Sequence, residues 1–434
     1  MLKAGASRIK ITPPVGVSMA GYANRSGPAE GVHDDLHARA LVVTGESRTV
    51  VLIVAEVLVV LTDIVEEVRR AISAATGLKA EHIIVSSTHT HSGPGGLINL
   101  DVHGGALSLA APFLGPGDAT LQNSLKDAMV QAVEQALADQ QPVKVAVGVG
   151  KVAVGANRRS PDGPADTDAV VMRFDGLDGQ MRALLFSQSC HPTVLSADNR
   201  LISGDFMGLA CQALENATDG LIALGLTGAA GDVSTRFTRR ESTFAEAERL
   251  AGHLADVVQQ TAANLAPTDD ERLWINYGQI DLPTAPPFSP EELRQHLAAT
   301  RQQLDELRNQ GATSWQVRLA ETAIEGIEFQ LTARQGGTMP ETFPVPVYAV
   351  RIGPTMLLTF PVELFSQLGL MARKAVGEEN AMVACYANDY LGYLPTRADF
   401  ESGGYEVNMA LLAAGSGEQL VEYALSLLSG APAD

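Results

Sequence analysis

An α/β fold of mixed β-sheets layered with α-helices, forming one large domain with a helical-hairpin insertion, is what this sequence predicts. Three observations carry the expectation. Short apolar runs at 36–43, 50–57, 83–88, 143–149, 168–174, 182–189 and 221–226 have the length and bounding turns of strands. Between them, 63–75, 120–137 and 243–265 place apolar residues at helical spacing. Two charged helical stretches, 289–309 and 314–333, flank Gln310-Gly311-Ala312-Thr313 and read as a helical hairpin, which places the insertion at about 286–336. With 434 residues, 46% of them hydrophobic, the chain can bury a large core.

Taken in order, 8–14 alternates and then stops at Pro13-Pro14, as an edge strand does. The runs 36–43 and 50–57 are joined by Gly45-Glu46-Ser47-Arg48, a hairpin turn. His33 and His37, just before and within the first of these, read as structural or surface residues. Helix 63–75 ends at Gly77, which suits a C-terminal glycine. Strand 83–88 then enters Ser87-Thr88-His89-Thr90-His91-Ser92-Gly93-Pro94-Gly95-Gly96. Strand side chains alternate, so His89 and His91 project to one side, beside a turn that lets other groups approach. Two imidazoles so placed suit a metal, though spacing alone leaves a pair of surface histidines equally open.

The Gly- and Ala-rich stretch 97–117 lacks periodicity and reads as a rim or lid; His103 within it is not assigned a role. Strand 182–189 leads to Ser189-Cys190-His191-Pro192, where His191 is placed at a strand end. Asp205 falls in a polar turn and is expected to support the site from behind at most. Glycines 225, 228 and 231 do not form a dinucleotide loop, because the next expected helix waits until Thr243, with Glu246 completing a capping box. Strand 272–281 precedes the hairpin, and strands 345–352 and 356–360 follow it. Pro361 reads as a helix start, with Glu363 in the first turn. Strand 382–387 runs into Asn388-Asp389-Tyr390-Leu391-Gly392-Tyr393.

Net charge is −19, which argues against nucleic acid and anionic membrane surfaces as partners. Three scattered cysteines make no disulfide framework, and Cys190 reads as a small buried residue. The longest apolar run, 50–61, is broken by Glu56 and too short to span a bilayer, so stable membrane insertion is not expected. The first residues lack an apolar leader pattern. A cytoplasmic protein is expected, or a secreted one if a leader was trimmed; a homo-oligomer is left open.

Thr88-His89-Thr90-His91-Ser92-Gly93-Pro94-Gly95-Gly96 resembles the signature of the neutral (non-lysosomal) ceramidases, zinc amidases that cleave the N-acyl bond of ceramide in sphingolipid metabolism. Met19-Ala20-Gly21-Tyr22, Asn157-Arg158-Arg159-Ser160, Ser189-Cys190-His191, Gly231-Asp232-Val233-Ser234, Pro361-Val362-Glu363, Tyr390 to Tyr393, and Tyr405-Glu406 are similar to further segments of that family, in the same order. The likeness runs from about residue 5 to 425 and implies a catalytic domain across 1–434 without the family's C-terminal immunoglobulin-like domain. It departs at the extra Arg159, which leaves Arg158 or Arg159 to face the site. It departs again at Thr235-Arg236, where relatives have Pro-Asn, and at Ala398-Asp399-Phe400, where they have Glu-Glu-Tyr.

The resemblance implies one Zn²⁺ held by His89, His191, Glu363 and Tyr393, with a water completing the set. It implies that His91 and Tyr405 stabilise the oxyanion, Ser234 orients the water or scissile group, and Arg158 holds the acyl product's carboxylate. The reaction expected is hydrolysis of an N-acyl amide, of ceramide or a related compound. Two alternatives are a zinc hydrolase of the same fold acting on a soluble amide, ester or lactone, and a binding relative without turnover.

Overall fold

The computed structural model describes residues 1–98, 111–160, 162–286, 288–333 and 339–429. Most of the expected rim, with His103, lies outside the described residues. Eight strands form one mixed sheet in the order Ile222–Thr227, Met181–Gln188, Asp168–Gly176, Gln141–Lys151, Lys3–Lys10, His37–Thr44, Thr49–Ala55 and Ile83–Ser87. Four more form a second sheet in the order Leu273–Pro283, Thr342–Ile352, Thr355–Thr359 and Ala381–Ala384.

The period of two explains how these sheets stack. In Thr49–Ala55, Val50, Leu52 and Val54 join a core shared with Val350, Leu357 and Met382 of the second sheet. Val51, Ile53 and Ala55 point the other way, onto helices Thr62–Thr76 and Ala119–Ala138. Strand Asp168–Gly176 divides likewise, with Val170, Met172 and Phe174 between the sheets and Ala169 and Val171 beneath helices Asp205–Ala217 and Phe244–Ala263. The second sheet's outer face is covered by helices Ser366–Val376 and Ser416–Ser426. The result is four layers: helix, sheet, sheet, helix. Strands buried on both faces read as unbroken apolar runs, which is why 50–57 lacks polar alternation. Glu56, which interrupts that run, is fully buried and paired with Arg39, whose Nε and Nη2 also bond Glu215. Such a buried charge is tolerable because it is paired.

The hairpin helices are Pro290–Asn309, capped by a reciprocal Ser289–Glu292 box, and Ser314–Ala333. Several expected boundaries differ. The first strand begins at Lys3 rather than Arg8, because Lys3–Lys10 pairs in full register with His37–Thr44. Thr243 caps the Glu246 amide, but the Glu246 side chain turns to the Arg240 amide and Arg249, so that box is half made. The expected helix start at Pro361 is overturned. Glu363–Leu364 pairs in parallel with Tyr393–Leu394, and the helix begins only at Ser366. Backbone bonds from Glu363 N to Gly392 O and from Phe365 N to Leu394 O hold the segment extended.

Candidate metal centre

Three chain crossings bring the centre together. The buried strand Ile83–Ser87 ends where Thr88 N bonds Ala55 O and His89 N bonds Val57 O, pulling the chain towards 55–58. His89 then adopts φ +65, so pleat alternation has already ended there. The two histidines do converge, with rings 5.0 Å apart at 85°, but a turn brings this about and not the strand. His191 follows strand Met181–Gln188 and is held by its amide on Val233 O, 3.0 Å. Glu363 arrives on the short parallel pair with Tyr393, directly opposite it in register.

Each imidazole gives its Nδ1–H to a backbone carbonyl, which can only accept. The bonds run to Leu58 O from His89 (2.9 Å), to Gly21 O from His91 (3.0 Å) and to Ala230 O from His191 (2.6 Å). In a neutral ring this sets the tautomer and leaves the lone pair on Nε2. Donor atoms of the three rings lie within 4.8 Å of one another. All three Nε2 atoms and Glu363 Oε2 are buried without a hydrogen-bond partner among the described residues. Oε2 stands 2.8 Å from His191 Nε2 and 3.7 Å from His89 Nε2. Burial, with the cationic neighbours, pushes His89 down to about 3 and His91 well below its usual value, so both rings are neutral. Burial opposes ionisation of Glu363 most strongly, while the Tyr390 hydroxyl on Oε1 favours the charged form. Lone pairs and one carboxylate facing each other in a dry site repel unless a cation lies among them. The N and O donors match those that bind zinc.

Around this core the Tyr393 ring stacks near His191 at 6.3 Å, and the Arg158 guanidinium lies 5.4 Å from the Tyr393 ring centre. Arg158 is buried, with Nε on Glu406 Oε1 (2.9 Å) and Nη2 on Gly231 O (2.8 Å). Arg159 takes the other Glu406 oxygen and lies over Phe365. Of the two arginines left open by the sequence, Arg158 is the one against Tyr393. Tyr405 packs edge-on to Tyr393 at 5.8 Å, and Ser234 bridges in parallel to His191.

A family profile described as neutral/alkaline non-lysosomal ceramidase, N-terminal, matches residues 2–224. The chain belongs to the neutral ceramidase family. It is 25% identical to the neutral ceramidase of Pseudomonas aeruginosa over 456 residues, 90% of this chain and 66% of that protein. It is 28% identical to the neutral ceramidase of Mycobacterium tuberculosis over 222 residues, 46% of this chain and 34% of that one. The chain thus spans less than two thirds of either relative's length. The crystal structure of neutral ceramidase from Pseudomonas aeruginosa superposes with a TM-score of 0.78 at 21% identity, covering 100% of this chain and 75% of that one.

Within this ceramidase fold, several residues that hold the centre carried no separate signal in the sequence. Tyr390 donates to Glu363 Oε1 at 2.5 Å, and Tyr386 stacks on His89 at 3.9 Å. Asp232 accepts from Asn157 Nδ2, Ser366 N and Ser366 Oγ, tying the loop before Ser234 to the start of helix Ser366–Val376. Gly21 has φ +100, and a Cβ there would lie 2.7 Å from the His91 ring. Only glycine lets the Gly21 carbonyl reach His91 Nδ1 in that conformation. Tyr390, Asp232 and Gly21 sit inside motifs that the family resemblance marks, which is the signal that could have found them. His33 and His37 stand apart, on Asp34 and near Glu56 respectively. Cys190 is buried, and burial pushes its thiol up.

Proposed function

We propose that this protein is a zinc-dependent amidohydrolase that cleaves an N-acyl amide bond, in ceramide or a related N-acyl compound. The observation that carries the reading is the set of buried, partnerless acceptors, His89, His91 and His191 Nε2 with Glu363 Oε2. His89, His191, Glu363 and Tyr393 would hold the metal. Zinc, when bound, supplies a Lewis acid for the amide carbonyl and a water whose pKa falls to about 7.

The chain's own residues supply the rest. His91, with its proton on Nδ1, presents a bare Nε2, so in its resting state it accepts a proton rather than donating one. It becomes an oxyanion donor only after taking that proton, and it can then pass the proton to the leaving nitrogen. Tyr405, raised by burial above its usual range, stays protonated and can donate to the developing oxyanion from the outset. Ser234 lies beside His191 and orients the scissile group. Arg158 keeps its charge, since Tyr393, Glu406 and Glu363 outweigh the burial that would lower it, and it draws the acyl product's carboxylate. An apolar crevice lined by Ala20, Leu58, Val59, Pro94, Leu97 and Leu114 lies beside the loop that holds His89.

The test is metal analysis paired with hydrolysis of a panel of N-acyl substrates. About one zinc per chain is expected, lost to a strong chelator together with activity and restored by added zinc. Full activity in protein shown to hold no metal would overturn the proposal.

A further inference from the structure

Three arginines act on Tyr22, whose ring lies against His91. The Tyr22 ring lies 5.0 Å from the His91 ring, and Arg25, Arg236 and Arg239 all act electrostatically on the Tyr22 hydroxyl. None of the three has a carboxylate partner within ion-pair distance among the described residues. Two of them are occupied with neutral acceptors. Arg25 bonds Asn199 O and His91 O, each at 2.6 Å, and Arg239 bonds Thr193 O and, at 3.4 Å, Thr235 Oγ1. The third, Arg236, is different: among the described residues its guanidinium has no hydrogen bond and no ion pair.

Its place in the fold makes this consequential. Arg236 sits in the one-turn 3₁₀ helix Thr235–Phe237, whose cap is Ser234 Oγ, accepting from Arg236 N at 3.4 Å. That serine bridges to His191, so the side chain leaves the backbone two residues from the candidate centre. Its charged neighbours are Arg158, Arg318 and Arg239, with Glu406 as the opposing charge. Glu406 already accepts from both Arg158 and Arg159. Burial, then the neighbouring cations, bring Arg236 down to about 10. A half-buried guanidinium among like charges, without an acceptor, is stabilised by an incoming anion. The whole chain carries a net −19, so this flank has the sign opposite to the molecule around it.

We propose that the substrate is an N-acyl amide bearing a second, anionic group, a carboxylate or a phosphate, which Arg236 binds beside the candidate centre. This rests on the amidase reading above and names the substrate class for it. The chemistry is unchanged: the water oxygen bonds the acyl carbon, the C–N bond breaks, and the nitrogen keeps the electron pair and takes up a proton.

The experiment compares three amides with one medium-length acyl chain: an N-acyl ethanolamine, its phosphate monoester, and the N-acyl glycine. Wild-type protein as isolated, Arg236→Gln and Arg236→Lys are assayed side by side. Expected is an anionic-to-neutral ratio of kcat/KM of at least about 10 in the wild type, falling about 10- to 100-fold in Arg236→Gln, chiefly through KM, with part kept in Arg236→Lys. The phosphate and glycine arms show which anion is preferred. A wild type that favours the neutral amide, or an Arg236→Gln that lowers all three substrates alike, overturns the proposal. Should no amide be cleaved, the amidase reading fails by itself, and calorimetric titration with the same three compounds decides the anion site. Tighter anion binding that is lost in Arg236→Gln supports the site, and equal binding of all three rejects it.

Discussion

His89 and His91 differ by two positions in the chain and by a hydrogen-bond partner in space, and that difference assigns them separate tasks. His89 Nε2 faces Glu363 Oε2 at 3.7 Å, is stacked by Tyr386 and is locked by Leu58 O. His91 leans instead on Gly21 and Tyr22. Removing a ligand releases metal, whereas removing a proton-transfer group leaves metal and slows turnover by ~10²–10⁴-fold. His89→Ala is therefore expected to lose both zinc and activity, and His91→Ala to keep zinc while losing most activity. Metal content measured beside kcat checks the pair; zinc loss confined to His91→Ala would exchange the two roles. Tyr390 tests the layer behind the ligands. Its hydroxyl supports Glu363, so Tyr390→Phe should weaken zinc about 10- to 100-fold, read by competition with a chelator, without unfolding the chain. An unchanged zinc affinity would show that the bond does not tune the carboxylate.

At the scale of elements, the expected strands and long helices were legible because period-two and period-3.6 patterns are written in single residues. What was not legible depended on contacts far along the chain. No local signal says that Glu363–Leu364 will zip onto Tyr393–Leu394, and Pro361 points locally to a helix start instead. The approach of His89 and His91 was anticipated, but from a pleat; a positive φ at His89 and two amide bonds to 55–57 produce it. The family motifs named most of the residues that meet at the centre, Glu406 among them, while its sharing by Arg158 and Arg159 is visible only once 157–160 and 405–408 are brought together. Asp205 is another such join. At the start of helix Asp205–Ala217 its carboxylate accepts from Phe206 N (2.7 Å), Leu195 N (3.2 Å) and Val194 N (3.3 Å), fastening the chain just after His191. Burial raises it from 3.8 to about 6, against the pull of those three amides. A folded pKa above the unfolded one means the native state holds the proton more tightly. The contribution is full below pH 3.8 and is lost as pH rises through about 6, a span worth roughly 3 kcal/mol. Asp205→Asn should flatten that part of the stability profile, measured as urea midpoints from pH 4 to 7. Parallel profiles for the two proteins would show that Asp205 does not titrate in this window.

Over the whole molecule, charge decides which form of a lipid-like substrate can be reached. The chain carries 50 acidic against 31 basic residues, and no described helix is long and apolar enough to cross a membrane. The arginine flank near Arg236 acts over a short range, since the Debye length is about 8 Å at physiological salt. An anionic bilayer is a wide surface and meets the molecule's net field before it meets that flank. Repulsion should lower the encounter rate with anionic vesicles, while a small dispersed amide, even a charged one, diffuses to the site. Long-chain ceramide in anionic vesicles is therefore expected to turn over at least about tenfold more slowly than a short-chain analogue in solution. If charge is the cause, raising salt from about 0.05 to 0.5 M shortens the screening length and should narrow the gap for the vesicles while leaving the soluble substrate little changed. Equal rates on the two substrates at low salt would remove the argument. A gap that salt does not narrow would place the obstacle in lipid extraction, with charge playing no part.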